Sequence, residues 1–434
     1  MVGPEIIWSD GLRGRNVSGT SAVGDKGPSS FGLRGRAAAL LAVFLIVYNI
    51  AFQGLESLSS ARLTVLLLVI VAAISKKNAR TPVGAVDPLI FLVFVPVPYV
   101  LVQFLLVRDF GQLSRFLHLF LYSYVGAILL ARMVGGANRW FLVFLVAASI
   151  QAFILLFSFV SLDYRAWAAA SLATGGNFGA ENIYRAPGFT SDSGSSLSVI
   201  QSMGVLAGGF CLFFDKSMAF RWRAFVFALM LLCTLSCAVV GRTGLILSVI
   251  FVGLFVRVGV VGSGVVVSFG VFLLFLMGAA IGFVQEMLPS NFSIEYFSGW
   301  LFGFLYGEDQ TAGTLGSMPI APLSLDTILG YGLVSVVDGE NPSGHDSGFI
   351  QGYFSMGLLV SVLFYCFYAF VLVRLLKWLP SKLRYFIAFL LFAIEVKEPF
   401  VFKYAVMFLL VGTYFSWCAF ENRTDWKHED RLPH

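Results

Sequence analysis

The chain has 434 residues, of which 58% are hydrophobic and only 12% charged, against roughly 25% charged in an ordinary soluble domain. With a mean hydropathy of +0.85 and 45 phenylalanines, that composition excludes both a soluble globular enzyme and a disordered chain. The net charge of +5 is read first as a membrane-topology signal, and it gives no reason to expect a nucleic-acid partner.

The first 36 residues are polar and Gly/Ser-rich, show no cleavable-signal pattern, and are expected to form a flexible cytoplasmic arm. A helix rising about 1.5 Å per residue needs about 17 to 25 mainly apolar residues to cross roughly 30 Å of hydrocarbon. Twelve candidate runs follow, near 37–54, 60–75, 87–107, 115–131, 140–162, 194–214, 223–241, 243–256, 264–286, 348–372, 384–396 and 400–420, of which 243–256 and 384–396 are short. The expected fold is an all-α polytopic membrane protein, one transmembrane domain over 37–420 with a cytoplasmic tail at 421–434. The basic residues give an independent check, because Lys and Arg collect in cytoplasmic loops. With both termini inside, 21 of the 29 fall in inward segments, which supports twelve spans.

Two outward segments are long enough to fold over the membrane surface, about 163–193 and about 287–347. The second carries seven acidic residues and no Lys or Arg, and reads as an extracytoplasmic cap. No internal repeat and no matched pair of interrupted helices is visible, which argues against a secondary transporter. The five cysteines all lie in apolar runs and read as small packing residues. There is no Walker loop, dinucleotide fingerprint or metal-ligand spacing, so no cofactor and no metal is expected.

Eight basic residues face outward: Arg62, Arg108, Arg115, Arg165, Arg185, Arg242, Lys397 and Lys403. Arg62, Arg108 and Arg115 sit at short-loop boundaries and read as snorkelling helix ends, and His118 as a hydrogen-bonded helix residue. Arg185 stands in Tyr-Arg-Ala-Pro-Gly-Phe-Thr-Ser-Asp-Ser-Gly (184–194), where it either binds phosphate through its planar fork or pairs with Asp192 or Glu181. Arg242, in Val-Val-Gly-Arg-Thr-Gly (239–244), is the only charge between Arg223 and Arg257. Two crossings must fit between those arginines, which pulls its turn to the lipid interface, where an arginine needs a partner or a water-filled cavity. It reads as a phosphate ligand, with a headgroup-bonding hairpin tip as the alternative. His345 and Asp346, where the acidic cap re-enters the membrane, could take a proton from a sugar hydroxyl; Asp346 could instead cap the following helix. Glu395-Val-Lys-Glu-Pro-Phe (395–400) and Lys403 form either a local ion-paired stop or further anion ligands.

The Gly-Arg-Thr-Gly turn (241–244), the Gly-Tyr-Gly and His-Asp-Ser-Gly-Phe-Ile re-entry (330–359), and Glu-Val-Lys-Glu-Pro-Phe, in that order between two large outward loops, resemble the Wzy-type O-antigen or capsular repeat-unit polymerases, a resemblance spanning about 180–412. It implies a GT-C-like fold with two larger periplasmic loops and a metal-independent glycosyltransferase in the bacterial inner membrane. The donor would be a glycan on undecaprenyl diphosphate, the acceptor a lipid-linked repeat, and a chain-length regulator and a flippase would be partners. The family's Arg-x10-Gly pattern is met at Arg242 and Gly253, on a span. Arg185 reaches Gly194 after eight residues, and 287–347 has no arginine, so the family's two-loop arginine arrangement does not carry over. On this reading Arg242 and Arg185 bind the donor diphosphate, helped by Lys397 and Lys403. His345 is the first candidate for base or acceptor orienter, and Asp346 the second. An O-antigen ligase and a polysaccharide flippase are the alternatives.

Overall fold

The computed structural model describes residues 33–74, 87–173, 186–192, 194–215, 218–259, 310–334 and 342–421. The expected span at 264–286, residues 287–309 and 335–341 of the cap, and the two tails apart from 33–36 and Glu421 lie outside them, as does Arg185. Among the described residues the fold is helical, with one isolated bridge, Phe52 to Leu172, and no strand. Among the described residues six helices are long and apolar enough to cross a membrane: Ile90–Val107, Gly111–Val134, Ala137–Val160, Gly194–Phe214, Phe220–Ala238 and Leu358–Leu375. Three shorter apolar helices, Gly35–Val47, Ser60–Ile74 and Ala405–Ala419, accompany them. In lipid each backbone N–H and C=O must be satisfied within its own segment, which is why an apolar chain of this kind folds as helices.

In chain order the helices are α1 (Leu33–Val47), α2 (Ser60–Ile74), α3 (Asp87–Phe94), α4 (Val97–Val107), α5 (Gly111–His118), α6 (Ala127–Val134), α7 (Ala137–Val160), α8 (Leu162–Ser171), α9 (Gly194–Phe214), α10 (Phe220–Ala238) and α11 (Arg242–Arg257). After the cap come α12 (Gln310–Ser317), α13 (Leu325–Leu329), α14 (Gly348–Met356), α15 (Leu358–Leu375), α16 (Ser381–Ala393) and α17 (Ala405–Ser416). A π-helical stretch, Leu119–Gly126, joins α5 to α6. Several expected spans differ at their ends. The run 37–54 stops being helical at Val47, before Asn49, whose φ is +38°. The run 348–372 is broken at Gly357, and the run 400–420 becomes α-helical only at Ala405.

The bundle is built around α9, whose apolar window is 89% buried against 28% for Ile90–Val107 at the periphery. Such burial among other helices needs small residues, since lipid offers no hydrophobic drive for helix association and packing distance decides it. Gly204 lies against Ala148 of α7, Gly208 against Met230 of α10 and Gly209 against the Phe255 ring of α11. Gly244 of α11 sits on the Ser198 backbone, and its N–H donates to Ser198 Oγ at 3.1 Å. All of α17 is buried as well, and Trp140 of α7 donates to its Leu409 carbonyl at 3.1 Å. The five cysteines are free thiols; Cys211, Cys233 and Cys237 are buried.

Backbone contacts tie the described part of the cap to one end of the bundle. The N–H groups of Tyr331 and Gly332 donate to the carbonyls of Phe354 and Ser355, each at 2.9 Å. Asp109, in the α4–α5 turn, accepts the Val334 N–H at 2.9 Å. Gly330 and Gly357 meet backbone to backbone, both with positive φ, and this contact fixes the break between α14 and α15.

The α9–α11 contact yields the first prediction. A Cβ on Gly244 would overlap the Ser198 carbonyl, which is backbone and cannot rotate away, whereas Gly253 faces open space on the same helix. Gly244→Ala should destabilise the detergent-purified protein by at least about 2 kcal/mol. Gly253→Ala should be neutral or stabilise by up to about 1 kcal/mol. Thermal melting of the two variants checks the pair, and equal melting temperatures would contradict the packing.

Candidate functional site

Arg242, His345, Asp346, Lys397 and Lys403 meet at the end of the bundle that carries the described part of the cap, while Arg185 lies outside the described residues. Gly241, which precedes Arg242, packs on Ser198 Oγ and on the Gly194 carbonyl at the start of α9. Arg242 is half-buried and is the first residue of α11. The N-termini of α9 and α11 therefore lie side by side. Both present N–H groups and the positive ends of their dipoles, a setting that favours an anion. An arginine added at the same place strengthens it.

The segment 186–192 runs across this turn, the Ala186 N–H donating to the Val239 carbonyl at 2.9 Å. It ends at Asp192, whose Oδ1 lies 3.5 Å from Lys403 Nζ. Lys397 Nζ lies 3.2 Å from Asp346 Oδ2. Each lysine thus bridges to an acid on another segment, while both also act on Glu398 in their own turn. A Lys397 side chain 26% exposed against a 51% exposed carboxylate makes a weak bridge that a substrate could displace.

Glu398 was not singled out from the sequence, and it occupies the centre. Its carboxylate accepts from Ser195 Oγ and from Ser196 Oγ in the first turn of α9. Burial pushes its pKa up, opposed by Lys403, the Ser196 hydroxyl and Lys397. The Gly-Ser-Ser start of a span was the available signal, because hydroxyls at a helix N-terminus invite a carboxylate. Glu395 is buried completely. Its Oε1 accepts the Val401 N–H at 2.6 Å, and Oε2 has no hydrogen-bond partner and presses on Gly348.

His345 is 5% exposed, and its Nδ1 accepts the Ser347 N–H at 3.0 Å. In a neutral ring that bond leaves the proton on Nε2, so the imidazole is set up to donate a hydrogen bond through Nε2. Gln351 Nε2 holds the loop by donating to the carbonyls of His345 and Asp346, at 3.2 and 3.1 Å. The N-cap of α14 is Ser347, and Asp346 turns to Lys397, so the capping alternative for Asp346 is not the one adopted. His118 bonds Ser114 at 3.4 Å, as expected of a helix residue. Arg115 lies over the Phe402 ring at 5.5 Å, and Arg108 ends α4 with a φ of +66°. At the opposite end of the bundle Lys377 sits over Tyr414 and Trp417, and Arg132 over Phe415.

No family model matches the chain. Among curated proteins and among solved structures nothing matches it either.

Glu398, in the turn between the last two expected spans, generates a pH prediction. A group whose folded pKa is raised contributes stability that is complete below its unfolded value, here 4.5, and is lost as pH rises through the folded value. The melting temperature in detergent should therefore fall as pH is raised above that unfolded value. Glu398→Gln, neutral at every pH, should flatten that fall. A slope unchanged in the variant would show that Glu398 is not its source.

Proposed function

We propose that the chain is a Wzy-type polysaccharide polymerase, a metal-independent glycosyltransferase of twelve spans and GT-C-like fold in a bacterial inner membrane. It moves a growing glycan from undecaprenyl diphosphate to a new lipid-linked repeat unit. One observation carries the reading: Arg242, Asp192, His345, Asp346, Lys397, Glu398 and Lys403, drawn from four separate stretches of sequence, gather at one end of the bundle beside two helix N-termini. By the positive-inside rule the opposite end, with Arg132 and Lys377, is cytoplasmic, so this end faces the periplasm with both termini inside.

The chemistry asked of such a site is limited. The bond between the anomeric carbon and the diphosphate oxygen breaks, and its electron pair leaves with the diphosphate. The acceptor hydroxyl oxygen bonds the same carbon, and its proton passes to a base. Because the leaving group departs as a stable anion, fixed positive charge at Arg242 and the N-termini of α9 and α11 stabilises the developing charge without a protonating acid. Asp346 is the side chain suited to receive the proton, since a carboxylate loosely held by Lys397 can exchange that partner for a hydroxyl. His345, its Nε2–H a donor, orients the acceptor. Arg185, next to Ala186 in the chain, is a second diphosphate ligand in this proposal.

Deleting the gene and resolving the surface glycan on a gel tests the reading. A core carrying one repeat with no ladder is expected. An uncapped core with lipid-linked polymer accumulating would make the chain a ligase, and cytoplasmic trapping of lipid-linked repeats a flippase. In the complemented strain, Arg242→Ala should reduce polymerisation by about 100-fold or more. Asp346→Asn should do likewise while changing stability by under about 1 kcal/mol, as expected for an exposed pair. Full-length polymer from the Arg242 variant would overturn the assignment.

A further inference from the structure

Beside the Asp192–Lys403 pair lies a hollow of about 180 Å³ that the transfer chemistry does not use. Ser191 and Tyr404, the chain neighbours of that pair, line it on one side, and the α1–α2 turn lines it on the other. Its volume is well beyond what one ordered water needs.

Four features set it apart from a packing defect. His118 and Tyr122 form an aromatic wall, their rings parallel within 8° and 5.1 Å apart, and Tyr122 meets the Tyr404 ring edge-on at 4.7 Å. That wall stands where α5 passes into the π-helical stretch Leu119–Gly126, and π segments concentrate at functional sites. Asn49 and Tyr404, two of the three non-glycine residues with positive φ among the described residues, both line the hollow. Backbone strain of this kind persists where the surroundings enforce it and gathers at binding sites. The Tyr404 hydroxyl, on a residue 8% exposed, and Asn49 Oδ1 are buried atoms with no hydrogen-bond partner in the protein. Unsatisfied groups of this sort are costly unless a ligand or water meets them.

The charges narrow the ligand. Glu56 lines the hollow and accepts the Gly54 N–H at 2.9 Å; backbone N–H groups hold its carboxyl below the usual range, so it is an anion. A carboxylate in the hollow disfavours phosphate. Arg62, also in the lining, supplies donors, and Asn49 supplies both donor and acceptor. Mixed donors and acceptors around an aromatic wall suit a ring that bears several hydroxyls on an apolar face.

We infer that this hollow binds the pyranose ring of an uncharged sugar against the His118–Tyr122 wall, with Asn49, Glu56 and Arg62 bonding its hydroxyls. The assignment of that ring to the acceptor glycan rests on the polymerase reading; the binding itself does not.

The test is ligand-observed saturation-transfer NMR on the full chain in detergent, with methyl glucoside, methyl galactoside and methyl N-acetylglucosaminide as probes. At least one should show saturable transfer that millimolar inorganic phosphate does not displace. Glu56→Gln and Arg62→Gln, both at exposed positions, should each weaken that binding by about tenfold or more with unchanged melting. Binding by no pyranoside, displacement by phosphate, or full binding in both variants would overturn the inference. Pyranoside binding by a chain whose deletion leaves the glycan ladder intact would instead overturn the polymerase reading and keep the hollow.

Discussion

The close approach of α9 to α11 is the contact on which the rest of the site depends. Ser198 touches both Gly241 and Gly244, so the two helix N-termini are held side by side by a hydroxyl, a backbone carbonyl and the absence of two Cβ atoms. In a membrane that closeness must come from packing and hydrogen bonding. Once it exists, the Gly194–Ser195–Ser196 turn is left with hydroxyls and N–H groups at a low-dielectric boundary. Glu398 answers them, and through it the segment 394–404 is drawn onto α9.

That segment then organises the remaining charges. Lys397 reaches Asp346 at the entry to α14, Lys403 reaches Asp192 before α9, and Glu395 is enclosed beneath Gly348. The result places two positive helix ends and Arg242 beside acids held by displaceable lysines. Those are the two functions a glycosyl transfer from a diphosphate asks for, namely a sink for negative charge and an acceptor for a proton. The hollow behind Tyr404 adds an aromatic-walled surface, with Glu56 and Arg62 in its lining, one residue away in the chain.

Much of the helical frame was legible in the sequence, because apolar runs of membrane-spanning length between charges leave a chain few options. The run 194–214 coincides with α9, and 243–256 lies within one residue of α11 at each end. The interruptions were not legible. The break at Gly357 exists because Gly330, 27 positions earlier, needs backbone contact there, and no local pattern announces it. Lys397 and Lys403 read from the sequence as anion ligands or as parts of a local ion-paired stop, but their partners lie 51 and 211 positions away. Glu398 was passed over for the same reason, since its importance comes from two serines more than 200 positions earlier. His345 stands out by residue type, whereas the Ser347 N–H that its Nδ1 accepts is visible only in the folded loop.

The central claim is glycan transfer between lipid diphosphates at this one end of the bundle, and reconstitution tests it most directly. The purified chain would be placed in lipid nanodiscs with undecaprenyl-diphosphate-linked repeat units alone, without nucleotide or an ion gradient, and both glycan length and free undecaprenyl diphosphate would be followed. The account predicts a ladder of lengthening glycans with one undecaprenyl diphosphate released for each repeat added, abolished by Arg242→Ala. Repeat units that stay single and lipid-linked in the presence of folded, correctly inserted protein would contradict it.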